Sequence, residues 1–292
     1  MNKFEFDANK FLISTIQHRA IFGIDILVNN YCNLNCKCCN RWCNITKNKQ
    51  IYKTQDIIQN VLHILNNTKL QYLTLTGGEP LLHPDIIELV KFLGQCKKKY
   101  NLFSILIQSN VLRIPKMPPE FFQAVRDADL TISWVRYNYK HVDYDEIFKR
   151  LDDENVKHIS TLYLVNASLD TKPITDTMIM YKYSSVKNQK PFVYKRWLAC
   201  CDAVPALWQG KLYKCTSLPF IDTLTDNFNV KFEVIENDDY IKVENINTDS
   251  RIFSWKNKPS SFCKNYCSSR EETYTNWAQG KNTKEELISE NE

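Results

Sequence analysis

The chain has 292 residues, 43% of them hydrophobic, with 38 basic and 33 acidic side chains giving a formal charge of +5. That is enough apolar material for one domain of about 200 residues and a smaller appendage, and the interleaved charges argue against a nucleic-acid-binding face. No run approaches the roughly 20 apolar residues of a membrane span, and the start MNKFEFDANKFLISTIQHRA lacks the apolar stretch of a secretion signal, so a cytoplasmic protein without a membrane partner is expected.

Residues 1–20 read as an N-terminal extension. IFGIDILV (21–28) reads as a strand. TQDIIQNVLHILNN (54–67) reads as a helix with Ile57, Ile58, Val61, Leu62 and Leu65 on one stripe and Thr54 as N-cap. LQYLTLT (70–76) follows as a buried strand and HPDIIELVKFL (83–93) as a helix with Pro84 at its first position. NLFSILIQ (101–108) is a strand and PPEFFQAV (118–125) a short helix; Lys97-Lys98-Lys99 reads as a helix end or turn facing water. DLTISWV (129–135), YDEIFKRL (144–151) and VKHISTLYLV (156–165) continue as strand, helix and strand, and PFVYKRW (191–197) is a candidate sixth strand.

Strand–helix alternation with short links implies right-handed βαβ units and a parallel sheet. About six units over 21–197 predict an α/β fold, an open partial β/α barrel rather than a closed eight-stranded one. Ligands of such sheets sit beyond the carboxyl ends of the strands. The stretch YCNLNCKCCNRWC (31–43) follows the first strand and TGGEP (76–80) the second, so both fall on one rim. From 198 to 279 the texture changes to a small cysteine-rich module, and 280–292 is polar and expected to fray.

The chain has 11 cysteines, an odd number, and in a reducing compartment clustered thiols suit metal ligation better than disulfides. Cys32, Cys36 and Cys39 have the spacing C-x3-C-x2-C. If Cys43 joined them, the four could close a zinc site or a fully ligated cluster; on spacing alone these readings stay open. Three thiolates on a cubane leave one iron open to a small molecule. In LTLTGGEP (73–80), Gly77 and Gly78 let the backbone approach a ligand, and Glu79 offers a carboxylate to a cationic amine.

Together and in this order, the two motifs resemble the radical S-adenosylmethionine (SAM) superfamily, over residues 21 to about 200. The resemblance implies that Cys32, Cys36 and Cys39 hold a [4Fe–4S] cluster whose fourth iron chelates SAM, and that Glu79 binds the SAM amino group. QSN (108–110) matches where the family contacts the ribose, which assigns Ser109 and Asn110. The family usually has an aromatic or large apolar residue against the adenine just before the third cysteine; here that residue is Cys38, a small hydrophobe. Cys43 is then a packing thiol or a hydrogen-atom donor. The implied chemistry is reductive cleavage of SAM to a 5′-deoxyadenosyl radical, with a flavodoxin or ferredoxin as electron donor, and an oxidoreductase-type outcome is favoured.

WLACCDAVPALWQGKLYKC (197–215) and FCKNYC (262–267) resemble the auxiliary-cluster modules called SPASM and twitch. That implies a second [4Fe–4S] cluster on Cys215, Cys263, Cys267 and one of Cys200 and Cys201; structural zinc is the competing reading. SWVRYNYKH (133–141) offers Arg136, Tyr137 and His141 to a substrate pocket. His83 reads as a helix-start residue, and His18, His63 and His158 as structural. The expected substrate is a small molecule such as a sugar, nucleotide sugar or aminocyclitol. The alternatives are a ribosomally made peptide and a non-catalytic iron–sulfur or zinc scaffold. About 20 residues before the first strand are too few for the winged-helix leader-binding domain common in peptide-modifying relatives.

Overall fold

The computed structural model describes residues 23–37, 39–135, 137, 142–160, 177–184, 204–267, 271–276 and 278–289. Five strands, β1 (Gly23–Leu27), β2 (Tyr72–Thr76), β3 (Ser104–Ser109), β4 (Thr131–Trp134) and β5 (His158–Ser160), each pair in parallel with the next. Between them run α1 (Thr54–Asn67), α2 (Ile86–Lys99), α3 (Pro119–Asp127) and α4 (Tyr144–Asp153). This is the parallel α/β sheet predicted, consistent with a partial barrel.

Register decides what each face of the sheet does, because neighbours across parallel strands point the same way. Ile24, Leu73 and Ile105 form one row; Ile26, Leu75, Ile107 and Ile132 form the next. All are buried, in one core with the apolar stripes of the four helices. Each such side chain contributes about 1.5–3 kcal/mol by leaving water. The alternate residues Asp25, Thr74, Thr76 and Ser133, with Leu27 and Leu106, are buried too, and they give the opposite face a mixed, partly polar lining.

Some local expectations shift. Lys53, not Thr54, is the N-cap of α1; the Thr54 hydroxyl donates instead to Asp85 Oδ2 at 2.7 Å, tying α1 to the start of α2. Ile64 takes a core position, while Ile58 and Leu62 line a surface groove between α1 and α2. Pro84 precedes α2, whose N-cap is Asp85. The helix runs on to Lys99, with Lys97, Lys98 and Lys99 in its last turn, where the helix dipole favours cations.

The sheet does not stop at β1. β7 (Ala206–Trp208) pairs in parallel with the other edge of β1, and β8 (Lys211–Tyr213) and β9 (Tyr240–Lys242) follow antiparallel, giving the order β5-β4-β3-β2-β1-β7-β8-β9. The turn between β7 and β8 has Gln209 at φ 45° and Gly210 at φ 74°, the left-handed pair that suits a tight hairpin. Residues 206–242 therefore extend the core sheet, although the change of texture at 198 suggested a separate body. An unpaired β1 edge would leave a row of backbone groups without partners. The candidate strand 191–197 lies outside the described residues.

After α5 (Asp222–Phe228) and α6 (Asp249–Lys256) comes a π-helical turn, Cys263–Cys267. A smaller sheet has β6 (Thr177–Ser184) between β10 (Glu271–Asn276) and β11 (Ile288–Ser289). The tail expected to fray from 280 instead forms α7 (Lys284–Leu287) and β11, with Glu286, Leu287 and Ile288 buried. Among the described residues no helix is long and apolar enough to cross a membrane.

Helices α2 and α3 meet at a point with no spare volume, since a Cβ on Gly94 would lie 2.5 Å from Ala128 Cβ. Gly94→Ala should cost about 1–3 kcal/mol of stability in urea unfolding, and adding Ala128→Gly should recover part of that loss.

Candidate functional site

The exit of β1 and the turn after β2 lie against each other. Asn29, fully buried, accepts the Gly78 N–H on both its backbone oxygen and its Oδ1, each at 2.9 Å. Its Nδ2 donates to the Glu79 carbonyl at 2.8 Å, and Glu79 N–H donates to Tyr31 O at 3.0 Å. The glycines are required by this approach. A Cβ on Gly78 would lie 1.9 Å from Tyr31 O, and Gly77 has φ 152° with its missing Cβ 2.9 Å from Asn29 O.

Glu79 is 1% exposed. Its Oε1 accepts from the Ser109 hydroxyl at 2.7 Å and Leu81 N–H at 3.0 Å, and its Oε2 accepts from Asn110 N–H at 2.8 Å. Burial outweighs these donors and raises the carboxyl to about 7. The Asn110 side chain then reaches the cysteine loop, donating to Asn33 Oδ1 at 2.7 Å and Cys32 Sγ at 3.4 Å. The ends of β1, β2 and β3 thus form one hydrogen-bonded unit.

Within the loop, Cys39 N–H donates to Cys36 O and Trp42 N–H to Cys39 O, both at 3.2 Å. Leu34 N–H donates to Cys32 Sγ at 3.4 Å. Burial, then the charge of Glu79, pushes the Cys32 thiol up to about 12. A hydrogen bond between Cys43 and Cys39 lowers Cys39 and raises the buried Cys43. No three Cys, His, Asp or Glu side chains among the described residues converge on a single metal position. A cubane does not ask for that, because each thiolate binds a different iron.

Arg41 was not anticipated. Its Nη1 donates to Gly77 O at 2.8 Å and Thr76 Oγ1 at 3.1 Å, and its Nη2 lies 3.8 Å from Asp25 Oδ2. The lone acid within the apolar strand GIDIL was the available signal, since a buried carboxylate needs a cation or donors. Thr76 Oγ1 passes the contact on to Gln108 Oε1 at 3.3 Å.

Of the expected substrate residues, Tyr137 comes to the site. Burial and the charges of Cys36, Cys32, Cys39 and Glu79 hold its phenol well above its usual range, and its N–H donates to Tyr144 Oη at 3.0 Å. Cys38, Arg136, His141 and His18 lie outside the described residues. His83 is structural: Nδ1 accepts from Asp85 N–H at 3.2 Å, so Nε2 carries the proton and donates to Tyr52 O at 3.0 Å. His63 meets Ile246 O at 2.9 Å. His158 accepts from Trp134 Nε1 at 3.1 Å and faces Asp152 Oδ1 at 3.1 Å.

In the C-terminal part, a hydrogen bond from Cys267 lowers Cys263 to about 6. Two carboxylates missed in the sequence hold this turn: Asp238 accepts Ser261 N–H at 2.7 Å and Asp239 accepts Phe262 N–H at 2.9 Å. Lys214, beside Cys215, is lowered by burial while the charges of Asp238 and Cys263 act the other way. Cys200 and Cys201 lie outside the described residues.

The profile of the radical SAM superfamily matches residues 26–180, more than half of the chain. The chain belongs to that superfamily, whose members are enzymes that use SAM and a [4Fe–4S] cluster. A 7-carboxy-7-deazaguanine synthase of Clostridium acetobutylicum is 40% identical over 64 residues, 22% of this chain and 28% of that protein. An uncharacterized protein of Methanocaldococcus jannaschii is 33% identical over 109 residues, 36% of this chain and 35% of that protein. The matched stretches are thus a minor part of both relatives. Among solved structures, BtrN in complex with AdoMet and 2-DOIA has a TM-score of 0.45 and 13% identity, covering 84% of this chain and 92% of that one. SuiB of Streptococcus suis bound to S-adenosylmethionine has a TM-score of 0.40 and 15% identity, covering 51% and 35%.

The Gly78 contact is testable against a permissive glycine. A Cβ at Gly210 meets nothing within 4 Å, so Gly210→Ala should cost only the left-handed backbone strain, about 1–2 kcal/mol. Gly78→Ala must push backbone from backbone, and its melting temperature should fall further than that of Gly210→Ala.

Proposed function

We propose that Cys32, Cys36 and Cys39 hold the [4Fe–4S] cluster, that Glu79 binds the amino group of SAM, and that the substrate is a small polar molecule. One observation carries this reading: the Glu79 carboxylate, oriented by Ser109 and Asn110, is joined through the Asn110 side chain to Cys32 Sγ. A cluster-bound amino acid needs that juxtaposition of a thiolate-bearing loop and a buried anionic anchor. The donor set fits the group, with three thiols on one loop and N–H donors on Cys32 to moderate its sulfur. When bound and reduced, the cluster and SAM together supply a 5′-deoxyadenosyl radical, which takes hydrogen from an unactivated C–H bond.

The chain's residues bind and orient. Gly77 and Gly78 let the turn close on Asn29 and Tyr31, which sets the Glu79 backbone. Ser109 and Asn110 fix the carboxylate and, in this reading, lie beside the ribose, with Cys38 at the adenine. Arg41 is a half-buried cation between β1 and the Gly77 turn, and Cys43 supports Cys39. Tyr137 stays protonated at ordinary pH, so it offers a hydrogen-bond donor rather than a base. The partly polar sheet face that includes Thr74 and Ser133 would offer hydrogen-bonding partners to a hydroxylated small molecule. Cys215, Cys263, Cys267 and one of Cys200 and Cys201 would form the second, SPASM- or twitch-like cluster in 198–279, and a flavodoxin or ferredoxin would supply electrons.

Anaerobically reconstituted protein should bind about eight irons per chain, and about four with one zinc would remove the second cluster. With dithionite and SAM it should release 5′-deoxyadenosine, and Cys32→Ala, Cys36→Ala or Cys39→Ala should reduce release to background. An intact cluster with no release would leave a scaffold. A panel of deuterated sugars, aminocyclitols and peptides, read as deuterium in 5′-deoxyadenosine, decides the substrate class.

Glu79 also sets a pH dependence. Its folded value of about 7 lies above the ordinary 4.5, so its stabilising contribution is fully present below about 4.5 and is lost as pH rises through about 7. The SAM amino group would donate hydrogen bonds to Glu79, and the ionised carboxylate is the better acceptor, so SAM affinity should weaken as pH falls through about 7. Isothermal titration across that range should show this slope for the native chain and a flatter one for Glu79→Gln.

A further inference from the structure

The chain between β10 and β11 crosses back over the cysteine loop. Lys37 N–H donates to Ala278 O and Gly280 N–H to Asn35 O, both at 2.9 Å, so Cys36 and Gln279 oppose each other as an antiparallel pair. Side chains reinforce this pairing: Asn35 Nδ2 donates to Gly280 O at 3.1 Å and Asn44 Nδ2 to Asn282 Oδ1 at 2.6 Å. The buried Glu286 holds the turn, its Oε2 accepting the N–H groups of Lys281 at 2.7 Å and Asn282 at 2.8 Å. Gly280 has no room for a side chain, since a Cβ would lie 2.8 Å from Asn282 Oδ1, 3.0 Å from Asn44 Nδ2 and 3.2 Å from Asn35 Oδ1. On either side of the segment, β10 and β11 pair with β6, which gives it fixed ends.

We propose that residues 278–286 are a strap that positions the iron-binding loop, holding Asn35–Lys37, and with them Cys36, in the ligating conformation. This rests on the assignment of Cys36 as an iron ligand. A 13-residue loop that must bring three ligating thiols together carries a large ordering cost if it is free. Two backbone hydrogen bonds beside Cys36, and a side-chain pin at each end, order much of it before iron arrives. Asn35, Asn44, Gly280, Asn282 and Glu286 are positioning residues here; none is proposed to touch the cluster.

The test uses the full chain, reconstituted anaerobically, with the rate of iron transfer to a chelator as readout. Gly280→Val and Asn282→Ala should each lose iron about tenfold faster than the unmodified chain at similar melting temperature, whereas Thr283→Ala, an exposed strap position whose side chain makes no capping hydrogen bond, should not change the rate. Hydrogen exchange on metal-free protein gives a second readout: the amides of Lys37 and Gly280 should be protected together, and both should lose protection in Gly280→Val. Iron loss within about twofold of the unmodified rate in both strap variants, or unprotected Lys37 and Gly280 amides in the unmodified chain, would overturn the strap. Full iron retention in Cys36→Ala would overturn the ligand assignment and, with it, the strap's purpose; exchange at Lys37 and Gly280 reads the pairing independently of that assignment.

Discussion

The site depends on the backbone contact between Asn29–Tyr31 and Gly77–Glu79. Two strand ends approach so closely that Gly78 cannot carry a Cβ, and the buried amide of Asn29 meets the Gly78 N–H and the Glu79 carbonyl. Because the cysteine loop begins at Tyr31, this contact fixes its origin relative to Glu79. Asn110, one strand further along, closes the triangle. Parallel register makes this possible: strands in step end at the same level, so residues 30 to 50 positions apart in sequence become neighbours.

Burial dominates the electrostatics of this rim. Burial raises the Glu79 carboxyl against its neutral donors and the charge of Arg113, and burial, then the charge of Glu79, raises the Cys32 thiol. Arg41 is committed to Gly77, Thr76 and Asp25 below. A bound metal cluster would favour the thiolate forms of the cysteines, and an amino group donating to Glu79 would favour its ionised form, so both would offset the cost of burying these groups.

Two of the contacts that join the C-terminal third to the parallel sheet bear on the cysteine loop. Strand β7 occupies the edge of β1, directly below the start of the cysteine loop, and the segment after β10 pairs with the loop itself. Changes in this part of the chain therefore have a mechanical route to the proposed iron ligands.

The alternation of elements, the parallel sheet and the motif residues were legible in the sequence because each is a local pattern. A 3.6-residue stripe marks a helix, a short apolar run marks a strand, and closely spaced cysteines or a Gly-Gly-Glu turn carry their chemistry over a few positions. What only tertiary structure decided was long-range: β7 taking the β1 edge, Arg41 answering Asp25, and a polar C-terminal stretch pairing with Asn35–Lys37 instead of fraying. Those partners are separated by 16 to some 245 residues, and whether a polar segment finds backbone partners depends on the edge the rest of the fold leaves open.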